Sequence, residues 1–158
     1  MIKNKLFSQV ICIVIYVFAF WFSYFLLNIS QLGLQVFMSN HHIWLLILIW
    51  HVFATIIIYI FSVLLKNSSL YDPFWSVAPV PIVVFLSMGM DTLDIKLLIL
   101  IPICFWALRL TRNWLISWPG FHHEDFRYID LKNTNKFKAE ITNFFGIHLI
   151  PTLIVNFG

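Results

Sequence analysis

Long apolar runs separated by short polar stretches form the main pattern along the chain. A membrane-spanning helix needs about 20 mainly apolar residues, and each run comes close to that length. The pattern predicts an all-α fold, a polytopic transmembrane bundle of about five helices in a single membrane domain over residues 1–158. The predicted helices cover residues 6–27, 43–65, 74–90, 95–116 and 140–157, and a charged loop covers residues 117–139.

The first and third runs differ from plain spans. The first run is longer than the apolar region of about 7–15 residues in a cleaved signal peptide, so we expect it to be retained as a helix. A polar connection at residues 28–42 is expected to follow it. In the third run Pro79 and Pro81 remove backbone donors and clash with the preceding turn, which predicts an irregular or kinked backbone.

Composition strengthens the membrane assignment. The chain is 61% hydrophobic and only 11% charged, whereas soluble domains carry about 25% charged residues. This balance excludes a water-soluble globular protein. It makes the lipid bilayer the expected partner and gives no reason to expect nucleic acid. Cys12 and Cys104 lie inside apolar runs without CxxC spacing, so we expect buried apolar side chains rather than a disulfide or metal site.

The distribution of basic residues predicts the orientation of the bundle, because cytoplasmic loops carry the excess of Lys and Arg. With the N-terminus in the cytoplasm, only Lys96 falls on the outer side. The opposite orientation would place nearly all basic residues outside. The expected inner residues are Lys3, Lys5, Lys66, Arg109, Arg112, Arg127, Lys132, Lys136 and Lys138.

The charged loop holds the main candidates for chemistry. A helix beginning near Glu124 would place Glu124 and Asp125 in its first turn, where the helix dipole favours acids. Glu124, Arg127, Tyr128 and Leu131 would then share one face. The spacing of Glu124 and Arg127 fits either a surface ion pair worth a few tenths of a kcal/mol or part of a ligand site, and the pattern leaves both open.

Arg109 and Asp72 are the two further candidates. Arg109 lies about 10 Å deeper in the fourth helix than Ile116. A guanidinium at that depth either extends to the interface or faces a wet cavity, and both remain open. Asp72 precedes Pro73, which is typical of a turn or helix cap; alternatively it faces the same cytoplasmic cavity.

A metal site is not expected in the charged loop. His122, His123, Glu124 and Asp125 are contiguous, and no second ligand pair follows at helical spacing. The chain also lacks Gly-x-Gly-x-x-Gly and phosphate-binding Gly-rich motifs, so a bound dinucleotide would not be held by a Rossmann turn.

Several short motifs together resemble a known family. They are Asp-Pro-x-Trp-Ser at 72–76, Phe-Trp-Ala-Leu-Arg-Leu at 105–110, Gly120, His-Glu-Asp-x-Arg-Tyr at 123–128, and Leu131-Lys132. From about residue 70 to residue 155 the chain resembles the steroid 5-alpha-reductase-like family of polytopic membrane proteins, in its bacterial branch.

The resemblance implies a seven-helix bundle that binds NADPH from the cytoplasmic side of the bacterial inner membrane. It would reduce a carbon–carbon double bond conjugated to a carbonyl in an apolar, lipid-like substrate. It points to Asp125 and Arg127 as cofactor contacts, with Glu124 and Tyr128 beside them. Arg109 and Lys132 join this set as further cofactor-binding candidates, because a cationic side chain in the cavity suits phosphate. No motif here matches the family's proton donor.

Two departures from the family pattern shape further expectations. Lys132 stands where family members usually have Arg, so a forked contact becomes a point charge. The family continues through two more helices and a basic Arg-His-Pro-Asn-Tyr-like segment, so we expect a C-terminally truncated member. A membrane-protein partner would then complete the bundle. One alternative is a non-catalytic remnant or helper subunit. Another is a small transporter, which is less favoured because the chain has only one deeply placed charge and no internal repeat.

Overall fold

The computed structural model describes residues 4–38, 43–88, 92–133 and 135–157. Every regular element in these ranges is helical, which confirms the all-α prediction. In chain order they are α1 (Lys5–Met38), α2 (Ile43–Leu64), a 3-10 turn (Ser68–Leu70), α3 (Phe74–Val77), α4 (Pro79–Met88), α5 (Leu93–Ser117), α6 (Phe126–Lys132), α7 (Lys136–Ile141), a π-helical segment (Thr142–Leu149) and α8 (Ile150–Phe157).

Three helical stretches are long and apolar enough to cross a membrane. They are Lys5–Ile29, Trp44–Leu64 and Ser68–Met88, with mean hydropathies of 2.5, 2.4 and 1.3. The chain is therefore an all-α membrane protein. The other two predicted spans also fold as helices, namely α5 and the continuous helical run from α7 to α8.

The boundaries of α1 differ from the prediction. The polar stretch expected to form a connection from residue 28 continues as helix to Met38, and residues 39–42 lie outside the described part of the chain. No proline interrupts this stretch. Asn28 fits into the helix because its side-chain amide donates to the carbonyl oxygen of Tyr24, one turn earlier, at 3.0 Å.

The irregular backbone expected in the third run is confirmed. The helix breaks at Ala78, so that α3 ends at Val77 and α4 begins at Pro79. Proline lacks the backbone N–H that a continuous helix needs and clashes with the preceding turn. The last two residues of the predicted run, 89–90, lie outside the described residues, as do Lys3 and Asp91.

The C-terminal helix is longer and less regular than predicted. It begins at Lys136 rather than at residue 140, and its middle, Thr142–Leu149, has π-helical turns. Within these turns the N–H of Ile150 reaches back five residues to the carbonyl oxygen of Phe145. Pro151 follows directly and cannot donate a backbone hydrogen bond. Wide turns of this kind are frequently found at functional sites.

The core lies where α1 and α2 pack around the segment that opens α3. Phe74 is fully buried at its centre. Its ring centroid lies 5.6 Å from that of Tyr16, 5.4 Å from Phe20 and 5.5 Å from Tyr71. The hydroxyl of Tyr16 donates to the carbonyl oxygen of Leu70. These contacts fix the turn at residues 67–73, on which the charged loop rests.

Candidate ligand cleft

The charged loop begins where α5 ends at Ser117. Trp118 has an extended backbone, and Gly120 has a φ of +124°, a conformation that residues with a Cβ rarely adopt. The turn brings the loop against the start of α1, where the N–H of Phe121 donates to the Ser8 hydroxyl oxygen at 3.3 Å. The fourth helix thus ends at Ser117, one residue beyond the predicted end at residue 116.

Four hydrogen bonds join the charged loop to the turn between α2 and α3. The Asn67 amide donates to the carbonyl oxygens of Phe121 and His123, at 3.1 and 2.9 Å. The Ser68 N–H donates to a Glu124 carboxylate oxygen at 2.6 Å. The N–H of Asp125 donates to the Ser69 hydroxyl oxygen at 3.0 Å. The two segments therefore form one docked unit.

Glu124 pairs with Lys132, at the far end of α6, rather than with Arg127. Its carboxylate is bound at 2.6 and 2.7 Å by the ammonium of Lys132, which also donates to the carbonyl oxygen of Lys66 at 3.1 Å. The Glu124 side chain is only 11% exposed. The suggested surface pair between Glu124 and Arg127 is therefore wrong, and Glu124 fastens the loop to the end of α2.

Asp125 caps α6 and also holds Arg127. The helix begins at Phe126, not at Glu124, and Asp125 is its N-cap, accepting from the N–H of Arg127 at 3.0 Å. The same carboxylate binds the Arg127 guanidinium through two N–H groups, at 2.8 and 3.0 Å. These side-chain hydrogen bonds lower the pKa of Asp125 and raise that of Arg127.

Arg127 retains donors for a ligand. Its side chain is 62% exposed, and its guanidinium carbon lies 5.5 Å from the centroid of the Tyr128 ring. A guanidinium carries five N–H donors. Asp125 uses two of them, so three remain directed elsewhere. The arrangement fixes the orientation of the cation without consuming its capacity to bind an anion.

Tyr128 links α6 to Asp72. The phenol is buried, and its hydroxyl donates to the Asp72 carboxylate. Burial raises the pKa of Tyr128 well above its ordinary value, and the nearby Asp72 charge acts in the same direction. Asp72 is thus held beside the charged loop; Pro73, not Asp72, occupies the cap position of α3.

An open cleft of about 950 Å³ lies beside this unit. Its lining includes the polar and charged side chains of Asp72, Arg127 and Tyr128. Trp75 and Trp106 also line it and meet edge to face, with ring centroids 5.6 Å apart. The cleft follows α5 from Ser117 to Trp106, which is about 16 Å along the helix axis. Its remaining lining is Tyr71, Ser76, Leu110, Asn113, Trp114, Leu131, Thr142, Gly146, Ile147, Pro151, Ile154 and Val155.

The cleft collects only some of the predicted site residues. Arg127 and Tyr128 line it, and Asp125 positions Arg127 at its mouth. Glu124 and Lys132 bind each other beside the end of α2 instead. Arg109 is exposed on α5 and is not part of the lining.

The wall that α5 contributes to the cleft was not identified from the sequence. Trp106, Leu110, Asn113, Trp114 and Ser117 recur at helical spacing, so they share one face of α5. That periodicity was the available signal. The indole N–H of Trp114 is buried without a hydrogen-bond partner among the described residues, which leaves a donor at the cleft wall.

A buried polar track behind the cleft was also missed. The hydroxyls of Thr55 and Tyr71 are hydrogen-bonded to that of Thr152, at 2.7 and 2.8 Å. The Nδ1 of His51 lies 2.7 Å from the side-chain nitrogen of Asn156. His148, Thr152 and Asn156 recur every four residues, a spacing that indicates one face directed at a neighbouring helix. Polar groups at such depth favour helix association and mark functional regions.

Comparison with known proteins gives one assignment. No curated protein and no solved structure matches the chain. The sequence model of the family described as "Protein of unknown function (DUF1295)" matches residues 58–157, a region that holds the docked loop, every residue lining the cleft and most of the polar track. The chain therefore belongs to the DUF1295 family.

Proposed function

We propose that this membrane protein is a reductase of the steroid 5-alpha-reductase-like type. It binds NADPH beside the charged side chains of the cleft and an apolar, lipid-like substrate against its aromatic side chains. The observation that carries the proposal is the cleft itself, whose lining combines Arg127, still rich in free donors, with the apolar faces of Trp75 and Trp106. The family motifs at 72–76, 105–110 and 123–128 supply residues on three of its sides.

The donors in and around the cleft suit a dinucleotide phosphate. Arg127 has three N–H groups left for phosphate oxygens. The Trp114 indole N–H, unpartnered among the described residues, suits a carbonyl or ribose oxygen. Asn113 and Ser117 add polar groups at the same end of α5. When bound, NADPH supplies the hydride that reduces a double bond conjugated to a carbonyl.

The residues of the chain have distinct tasks in this proposal. Asp125 fixes the guanidinium of Arg127 in one orientation, so the cation loses less freedom when it meets a phosphate. Tyr128 holds Asp72 at the wall. Trp75 and Trp106 provide flat apolar surface that excludes water from a greasy substrate.

A specific observation favours a non-catalytic helper subunit as the second candidate. Glu124, Asp125 and Lys132 are engaged within the protein, and α5 exposes a row of large apolar side chains. Such a face suits packing against another membrane helix. This row comprises Leu93, Ile95, Leu97, Leu98, Ile101, Phe105, Leu108 and Ile116.

Titration of the purified chain with NADPH, followed by nicotinamide fluorescence, tests the first candidate. Arg127→Ala should weaken binding by about tenfold or more, because charge-assisted hydrogen bonds contribute about 1.5–3 kcal/mol. Lys138→Ala is the matched control, since Lys138 is an exposed cation outside the cleft lining. Arg127→Lys should recover only part of the affinity, because it lacks the fork.

Two results would contradict the reductase. One is a flat titration with the folded wild-type chain, which would favour the helper subunit. The other is an equal loss of affinity in Arg127→Ala and Lys138→Ala, which would remove the reason for placing the cofactor beside Arg127.

A further inference from the structure

A second cavity of about 390 Å³ lies between the end of α2 and the α6–α7 region. It shares no lining residue with the cleft. We name it the lysine pocket, because its lining includes Lys66, Lys132 and Lys136. The rest of its wall is Ser62, Val63, Ser68, Ala139, Glu140 and Asn143.

Only one of the three lysines that line the pocket has an acidic partner among the described residues. Lys132 is held by Glu124. In contrast, the exposed side chains of Lys66 and Lys136 form no ion pair in the part of the chain that the structure describes. Two free ammonium groups therefore face a cavity that already contains a third. Such an arrangement attracts an anion.

The same lining also presents acceptors. Asn143 is only 5% exposed, and its Oδ1 has no hydrogen-bond partner among the described residues. An unsatisfied buried acceptor costs about 1–3 kcal/mol unless a partner reaches it. Glu140, which accepts from the hydroxyl of Tyr59 at 2.9 Å, adds a carboxylate to the lining. A simple anion would satisfy the lysines but would leave the Asn143 oxygen without a partner.

The location of the pocket suits an interfacial ligand. Lys66 follows two residues after the end of the span Trp44–Leu64. Basic pockets at the ends of membrane helices bind phosphate-bearing headgroups. A phosphate next to a hydrogen-bond donor would satisfy both the lysines and the acceptors of the pocket.

We propose that the lysine pocket is a binding site for a phosphate ester with a neighbouring N–H donor, as in phosphoethanolamine. The phosphate lies against Lys66 and Lys136, and the ammonium donates to Asn143 and Glu140. The same headgroup chemistry is supplied either by a membrane phospholipid or by a soluble phosphate ester.

Native mass spectrometry of the full chain in detergent, with added phosphatidylethanolamine, tests the proposal. The variant with both Lys66→Gln and Lys136→Gln should bind the lipid about tenfold more weakly, the loss expected for removed charge-assisted hydrogen bonds. Lys138→Gln should bind as the wild type does, because Lys138 is an exposed cation on α7 that does not line the pocket. Size-exclusion chromatography and circular dichroism establish that each variant is folded.

Phosphatidylcholine tests the contribution of the N–H donor separately from that of the phosphate. It carries the same phosphate and the same net charge, but its headgroup has no N–H. It should bind several-fold more weakly than phosphatidylethanolamine. Soluble phosphoethanolamine distinguishes the two sources: displacement of the lipid by it supports a soluble ester, and retention of the lipid supports a membrane headgroup.

Three results would overturn the proposal. They are equal binding of the two lipids to the wild type, unchanged lipid binding in the double variant, and an equal loss of binding in Lys138→Gln.

Discussion

Gly120 controls how the charged loop leaves α5. Its φ of +124° lies in the region that favours glycine, and a Cβ there would lie 2.9 Å from the Ser8 hydroxyl oxygen. Gly120→Ala should therefore destabilise the protein by about 1–3 kcal/mol, the range for strained backbone positions. Thermal unfolding in detergent measures the effect.

Gly146 provides the matched control. A Cβ there would meet its nearest neighbour, the Cγ2 of Thr142, at 3.6 Å, which is ordinary van der Waals contact. Gly146 lies in a helical segment, where Ala is favoured over Gly by up to about 1 kcal/mol. Gly146→Ala should be neutral or stabilising, and equal destabilisation by both substitutions would contradict the role given to Gly120.

Side-chain pairing was less predictable than position. The sequence indicated that Glu124, Asp125 and Arg127 gather in one loop, but proximity along the helix suggested the wrong ion pair. The partner of Glu124 is Lys132, and its other contact is the backbone of Ser68. Such contacts depend on which turn the loop meets in space, and sequence spacing within the loop carries no information about that.

At the scale of elements, long apolar runs were the dependable signal. They identified each main helix because about 20 apolar residues in a row have few alternatives in a membrane. Helix ends were less predictable. The helix α1 extends to Met38, and Asn28 fits into it because its side-chain amide finds an acceptor one turn earlier in the same helix. The short α6 begins one residue after Asp125 because that side chain caps it.

The hydroxyl of Thr152 joins α8 to both α2 and Tyr71. Thr152 is hydrogen-bonded to Thr55 and Tyr71, and it donates to the carbonyl oxygen of His148 at 2.9 Å. Thr152→Val preserves shape but leaves two hydroxyls without this partner. It should cost about 1–2 kcal/mol, as interhelical hydrogen bonds in membranes contribute about 0.6–2 kcal/mol each.

Thr111→Val is the comparison for Thr152→Val in an unfolding titration. The Thr111 hydroxyl makes a single part-buried contact, 3.3 Å from that of Ser76. Its loss should cost less than about 0.5 kcal/mol. A Thr152 variant no less stable than the Thr111 variant would show that the track contributes little to holding α8.

For the whole molecule, the positive charges predict a cytoplasmic N-terminus and a cytoplasmic charged loop. Single cysteines introduced at His122 and Leu93, both exposed, mark opposite ends of α5. In a background with Cys12→Ala and Cys104→Ala, a membrane-impermeant maleimide should label His122→Cys from the cytoplasmic side and Leu93→Cys from the outside. Labelling of His122→Cys from the outside would reverse the orientation and place the cleft mouth away from cytoplasmic NADPH.

The complete cleft could not be derived from the sequence, because it is assembled from distant segments. Its walls come from α3, α5, α6 and the C-terminal helix. The helix α1, which lies outside the region that matches the family, does not line the cleft but helps to position α5. The side chains of Lys5 and Gln9 donate to the last carbonyl groups of α5, at Ile116 and Leu115, over 2.8 and 2.7 Å. Long-range contacts of this kind fix how α5 approaches the loop.

The wide turns at Thr142–Leu149 determine the direction in which the side chains of α8 point around the helix axis. An α-helix rotates by about 100° per residue. One residue fewer in this stretch would therefore carry Thr152 and Asn156 more than a quarter of a turn away from Thr55 and His51. Relatives that differ in length here should shift their polar positions by one to compensate. If the length difference is placed elsewhere in a sequence alignment, the polar residues of α8 are aligned with residues on a different face of the helix.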